Sequence, residues 1–236
     1  MGNSWFQFKQ FRVEQALAPL KVGTDACILG AWSQHESPRS ILDIGTGTGL
    51  LSLMLAQRYE ASIDALEPNA QAAGQAAVNF CNSPWKDRIK LQQLLLQEYF
   101  PAHTYDFIVC NPPFYASHLK SGNRSRDMAL HQESLSFTAL AQHSSRLLAA
   151  SGRLFVLLPP RQAQEFELEA KQAGLYVQQR LHINDRPSLP VVHRTVFSFG
   201  KKVPEAEQVF QLTIRDASGA YSDQFRDLMK EYYLIF

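Results

Sequence analysis

An apolar run, Phe107-Ile108-Val109-Cys110, delivers Asn111-Pro112-Pro113-Phe114-Tyr115 to one place. Those residue types can handle a flat nitrogen base. The Asn111 carboxamide oxygen and the Pro112 backbone carbonyl are two acceptors for the hydrogens of an amino group. The prolines fix φ and remove N–H donors, so the acceptor array is rigid. Phe114 and Tyr115 can stack on a base plane, a contact worth about 1–3 kcal/mol per base. A Pro-rich turn that merely stops a strand is the competing reading of NPP alone.

A second constellation lies upstream. Asp43-Ile44-Gly45-Thr46-Gly47-Thr48-Gly49 sets glycines where a tight turn lets backbone N–H groups come close to a ligand. The spacing is G-x-G-x-G; a dinucleotide fingerprint would need its third glycine at Leu50. Glu67 closes the segment DALE, and an ionised carboxylate there can accept from both hydroxyls of a ribose. Two plainer uses compete: the glycines could serve only helix–strand packing, and Glu67 could cap the helix behind it.

The elements that must hold these residues alternate. Short apolar runs at 40–44, 61–67, 88–96, 105–110 and 152–159 read as strands, and 50–59, 69–81, 135–149 and 161–174 as helices, the last closed by Gly174. Segments 175–183 and 194–200 are two more strands with no helix between them. The pattern specifies an α/β fold, a doubly wound, mostly parallel sheet of seven strands with an antiparallel edge hairpin. The tail FQLTIRDASGAYSDQFRDLMKEYYLIF adds a strand and an amphipathic helix. Glycine turn, Glu67 and Asn111 all fall at carboxyl ends of strands, where such sheets bind ligands.

Composition narrows the classes. The chain has 236 residues, is 45% hydrophobic and carries a net charge of +1, which excludes a strongly basic nucleic-acid coat. Three dispersed cysteines fit neither a disulfide framework nor a zinc site. No segment approaches the roughly 18 apolar residues of a membrane span, and the start lacks a signal-peptide core, so a soluble, cytoplasmic protein is expected. Residues 1–38 read as an N-terminal extension packing on the core, and 39–236 as the main domain.

The acid-led G-x-G-x-G turn resembles the S-adenosylmethionine loop of Rossmann-like class I methyltransferases. Asn111-Pro112-Pro113-Phe114 resembles the (D/N/S)-P-P-(Y/F/W) signature of enzymes that methylate planar exocyclic nitrogens. KVGTDACILGAW (21–32), LDIGTGTGLLSLMLAQR (42–58), DALEPNAQAAGQAAVNFCNSPW (64–85), LPVVHRTVFSF (189–199) and the terminal YYLIF extend the likeness to nearly the whole chain. Taken together, the sequence resembles the bacterial tRNA(Val) adenine-N6 methyltransferase family. The resemblance implies methyl transfer from S-adenosylmethionine to N6 of adenine 37, beside the anticodon, leaving S-adenosylhomocysteine and using no metal. It implies tRNA as partner, no membrane and no obligate protein partner. Asn111, Pro112, Phe114 and Tyr115 would be catalytic; Asp43, Gly45, Gly47, Gly49 and Glu67 would bind the cofactor. Thr24 and Asp25 would approach its methionine end, unless they only cap a helix N-terminus.

One position departs from the family. An acid often follows the third strand, and Leu95 stands there, with Glu98 three residues on. Three stretches are basic enough for phosphates: Lys9, Arg12 and Lys21, interleaved with Trp5, Phe6, Phe8 and Phe11; Lys120, Arg124 and Arg126; and Arg180, Arg186, Arg194, Lys201 and Lys202. Lys120, Arg124, Arg126 and Arg194 are the expected RNA contacts. Other readings stay open: guanine-N2 methylation of rRNA, methylation of a glutamine amide or of DNA adenine, and a binding module without turnover.

Overall fold

The computed structural model describes residues 3–17, 21–112, 135–187 and 191–236. A small hairpin, β1 (Trp5–Gln7) and β2 (Arg12–Glu14), leads into α1 (Thr24–Trp32). The alternating unit follows: β3 (Ser40–Ile44), α2 (Leu50–Arg58), β4 (Ser62–Leu66), α3 (Ala70–Cys81), β5 (Ile89–Gln92) and β6 (Tyr105–Cys110). After it come α4 (Phe137–Leu147), β7 (Leu148–Leu158), α5 (Pro160–Gln172), β8 (Tyr176–Asn184), β9 (Arg194–Gly200), β10 (Gln208–Thr213) and α6 (Asp223–Met229).

The main sheet has eight strands in the order β10-β8-β9-β7-β6-β3-β4-β5. The seven expected strands are present, with β9 antiparallel to both β7 and β8. The tail supplies the eighth: β10 pairs parallel to β8 and covers the outer side of the hairpin. Two elements end before the periodicity does. The third expected strand stops at Gln92, because the chain turns there into a 3-10 turn at Leu96–Glu98. The helix expected to reach 149 ends at Leu147, and Leu148 already belongs to the next strand, where it is fully buried.

Central strands are apolar on both faces because both faces are covered. In β6, Phe107 and Val109 point into a core shared with α1, α2 and α6, whereas Ile108 and Cys110 point into one shared with α4 and α5. The N-terminal hairpin joins the first of these cores through Phe8, Phe11 and Val13. Phe8 and Phe11, two of the aromatics interleaved with Lys9 and Arg12, are stacked on each other and buried. Their partners come from the other end of the chain: Tyr233 packs on Phe6 and Phe8, and Lys9 Nζ donates to the carbonyls of Lys230 and Phe236 at 2.5 and 2.8 Å. Among the described residues no helix is long and apolar enough to cross a membrane.

Candidate active site

β4, β3 and β6 run parallel and in register, so Leu66, Ile44 and Cys110 lie side by side. The next residue on each strand is Glu67, Gly45 and Asn111. Adjacent strands are about 4.8 Å apart, which brings three separately expected site residues to one level of one edge. The chain leaves β3 toward β4 on one side and returns to β6 on the other. That makes the gap between β3 and β6 the switch point where open sheets hold ligands.

The glycine turn is shaped by three positive φ angles, +70° at Gly45, +59° at Gly47 and +84° at Gly49. Their uses differ. A Cβ on Gly49 would stand 2.4 Å from Phe80 Cε1, so this glycine lets α3 close against the turn. Gly45 and Gly47 would meet nothing within 4 Å, so their bare Cα atoms line open space that any side chain would fill. The N–H groups expected to face a ligand are already engaged. Those of Gly45 and Thr46 both donate to Leu66 O at 2.9 Å, that of Gly49 to Thr46 O at 2.8 Å, and that of Gly47 to Glu67 Oε2 at 2.9 Å. With these four donors taken, what Gly45 and Gly47 offer is closeness of main chain.

Glu67 is buried and spans two loops. Its Oε1 accepts from the N–H of Asn69 at 3.0 Å, and Asn69 in turn caps α3 through Gln71 and Ala72. The helix cap is thus Asn69, and each Glu67 oxygen retains a lone pair. Asp43 is fully buried beneath the turn; its Oδ2 accepts from Thr46 Oγ1 (2.5 Å), Ser52 Oγ (2.7 Å) and Ser52 N (3.1 Å). Burial pushes its pKa up to about 6, against those hydrogen bonds. Asp43 pins the turn onto the start of α2.

Asn111 holds an unsatisfied acceptor, as does Asp43 through its Oδ1 beneath the turn. The Asn111 Oδ1 is shielded from solvent and has no hydrogen-bond partner among the described residues. An unmet buried acceptor costs about 1–3 kcal/mol, and here it sits one residue past the β6 end that flanks the turn. Beside it, burial lifts the Cys110 thiol far above the ordinary range, so that sulfur is a neutral packing group rather than a nucleophile. Phe114, Tyr115, Lys120, Arg124 and Arg126 lie outside the described residues.

Thr24 and Asp25 open α1, but neither caps it: Gly23 is the N-cap, with no side-chain cap bond. Asp25 is engaged within the chain instead, Oδ1 beside His193 Nε2 at 3.4 Å and Oδ2 ion-paired with Arg194 Nε at 3.1 Å. Expected cofactor and RNA residues thus meet in one cluster. Other cations of the basic stretches also have partners within the chain: Arg12 with Glu14, Arg180 with Glu167 and Glu207, and Arg186 with Asp185. At the departing position, the Leu95 N–H donates to Glu98 at 3.2 Å, so that carboxylate folds back onto its own turn.

Comparison with known proteins meets this geometry. Residues 22–177 match the family described as Methyltransferase small domain. A tRNA1(Val) (adenine(37)-N6)-methyltransferase of Cytophaga hutchinsonii is 44% identical over 238 residues, covering 99% of both chains. The chain belongs to this family. A Trichodesmium erythraeum protein of the same name is 38% identical, again over 99% of both chains. Among solved structures, a predicted O-methyltransferase from Agrobacterium tumefaciens aligns with a TM-score of 0.67 at 18% identity, over 88% of this chain and 96% of that one. A putative RNA methyltransferase from Pyrococcus horikoshii gives 0.54 at 16% identity, over 76% and 82%. These two share the fold, that of a class I methyltransferase.

Sequence reasoning missed several residues that support this methyltransferase site. Asn79 of α3, almost fully buried, donates to Thr48 O and Glu14 O at 2.8 Å and accepts from Glu14 N at 2.8 Å, tying the glycine turn to β2. A lone polar amide in the alanine-rich run AAVNFC was its signal. Ser52, inside the apolar helix LLSLML, was the signal for the Asp43 anchor. His193 had none.

Proposed function

We propose that this chain transfers a methyl group from S-adenosylmethionine to N6 of adenine 37 in tRNA(Val). The observation that carries the reading is the buried, unpartnered Asn111 Oδ1 at the level of the glycine turn and Glu67. Relatives 36–44% identical over nearly their whole length bear the adenine-37 name, which disfavours the guanine-N2 alternative on rRNA.

The residues present fit the cofactor. Gly45 and Gly47 leave room where a ligand would press on main chain, and Glu67 has a lone pair on each oxygen for the ribose hydroxyls. Asp43 holds the turn in place, and the extension over residues 1–38 carries Thr24 and Asp25 toward the methionine end. S-adenosylmethionine supplies an electrophilic methyl group on a sulfonium and leaves as S-adenosylhomocysteine; no metal takes part.

Asn111 Oδ1 and the Pro112 carbonyl accept the two hydrogens of the adenine amino group. That grip favours a pyramidal nitrogen and turns its lone pair, otherwise delocalised into the ring, toward the methyl group. A neutral carboxamide suffices, because the nitrogen sheds its proton after transfer. Phe114 and Tyr115 stack on the base and fix its plane. Alignment of this kind accounts for roughly 7–11 kcal/mol in well-oriented reactions. An anticodon-loop adenine stands outside a duplex, so exposing it costs at most a few kcal/mol. Lys120, Arg124 and Arg126 hold the loop phosphates, in a cytoplasmic enzyme.

The test is tritiated methyl transfer to an unmodified tRNA(Val) transcript, followed by nucleoside mass spectrometry. N6-methyladenosine at position 37, and no incorporation when that base is guanine, is the expected result. Incorporation only into rRNA as N2-methylguanosine contradicts it.

A further inference from the structure

Asn79, near the end of α3, is a polar amide only 1% exposed, and it acts as a neighbouring strand would. Its Oδ1 accepts from Glu14 N and its Nδ2 donates to Glu14 O, both at 2.8 Å, so the last residue of β2 is gripped at its N–H and its C=O together. The second hydrogen of Nδ2 goes to Thr48 O, also at 2.8 Å, in the glycine turn between Gly47 and Gly49. A carboxamide has two donor hydrogens. Both are used here, one on each of the two main chains that Asn79 joins.

Two further amides continue the tie. Gln75, one turn earlier on α3, accepts from Leu17 N at 3.2 Å. Gln15, itself buried, donates to Asn3 O at 2.9 Å and accepts from Val22 N at 2.8 Å. Val22 stands two residues before Thr24. The first turn of α1 rises above the core: Thr24 is exposed, Asp25 is half-buried and full burial begins only at Cys27. Its N-cap, Gly23, contributes no side-chain bond. Downstream, Asp25 meets the start of β9; upstream, the N–H of Val22 leads straight to Gln15.

We propose that Asn79 and Gln15 are positioning residues for the methionine end of the methyl donor: they tie the chain entering α1 to the glycine turn and so set how far Thr24 and Asp25 stand from Gly45 and Gly47. The inference rests on the reading of Thr24 and Asp25 as methionine-end contacts. Packing alone does not call for these amides. Phe8, Phe11 and Val13 already bury the hairpin in the core, and Lys9 fastens it to the carbonyls of Lys230 and Phe236. Buried polar groups add little stability over apolar ones of like volume; their attested use is to fix one arrangement against its neighbours. Here the arrangement is the spacing between two walls of one site. The turn has anchors of its own, Asp43 through Thr46 and Ser52 and Glu67 through Gly47 N. Loss of Asn79 therefore frees the entry to α1 more than it frees the turn.

The experiment compares two ligands by calorimetry: S-adenosylhomocysteine, and 5′-methylthioadenosine, which keeps the nucleoside but lacks the amino-acid end. In Asn79→Ala and in Gln15→Ala, affinity for S-adenosylhomocysteine should fall about tenfold, the scale of one lost hydrogen bond to a charged group. Affinity for methylthioadenosine should stay within about twofold of the parent's, which also shows that the variants fold. Gln15→Ala removes no bond to α3 or to the turn, so it carries the test if Asn79→Ala does not fold. Equal loss for both ligands, a lowered Tm with both affinities parental, or unfolding of both variants makes the amides structural ties and overturns the proposal. A parent that binds the two ligands equally tightly overturns the methionine-end reading of Thr24 and Asp25, and the proposal with it; a parent that binds neither overturns the cofactor reading as well.

Discussion

The main-chain N–H of Gly47 donates to Glu67 Oε2 at 2.9 Å, so the second loop of the site is hung on the first through a single buried carboxylate. Glu67 also takes the N–H of Asn69, and its remaining lone pairs are what a ribose would meet. Removing it therefore costs twice, once in ligand contacts and once in loop order. Hydrogen bonds to a charged group contribute about 1.5–3 kcal/mol each. Glu67→Ala should weaken S-adenosylhomocysteine binding at least about tenfold by calorimetry, with Glu67→Gln in between. Parental affinity in Glu67→Ala would remove this residue from the site.

The glycines of the turn should separate by function. Gly49→Ala meets both the left-handed φ of +84° and the Phe80 ring at 2.4 Å. It should lower stability by about 2–4 kcal/mol, combining a left-handed penalty with overpacking. Gly47→Ala meets only the φ of +59°, with open space around its Cβ. Its stability cost should be about 1–2 kcal/mol, while its affinity for S-adenosylhomocysteine falls steeply. Thermal melts beside calorimetry distinguish the two; equal affinity losses at equal stability would show that both glycines serve packing alone.

Asp43 gives the protein a pH signature. Burial raises its pKa from the usual 3.8 to about 6. Between about pH 4 and 6 the folded chain keeps a proton that the unfolded chain has lost, so this contribution to stability is full at the acid end and declines as pH rises, levelling off above. Two pKa units correspond to about 3 kcal/mol. Asp43→Asn is neutral throughout. The difference in Tm between variant and parent should therefore shift in the variant's favour from pH 4 to 6, followed by circular dichroism. A difference that is constant with pH contradicts this account.

Much of this was legible in the sequence because its signals are local. An apolar run ending in glycines, an acid one strand later and NPP after a third strand each mark a strand's carboxyl end, and parallel pairing in register then aligns Gly45, Glu67 and Asn111. What escaped depends on distance along the chain. Asp25 and His193 are 168 residues apart, so neither foretold the other. Phe8 and Phe11 look like exposed aromatics beside basic residues until Tyr233, from the opposite terminus, packs among them. The glycine turn misled in a subtler way. Its spacing announced ligand-facing N–H groups, yet the Leu66 carbonyl and Glu67 take them, and no local pattern records where a neighbouring strand places its acceptors.

The central claim is that Asn111 acts on the amino group and not on the cofactor. Single-turnover methyl transfer by Asn111→Ala, with S-adenosylhomocysteine affinity measured on the same preparation, tests it most directly. The account predicts a rate at least about a hundredfold slower, the scale of losing one preorganised polar group from a site, with cofactor affinity unchanged. Transfer at the parental rate would contradict it.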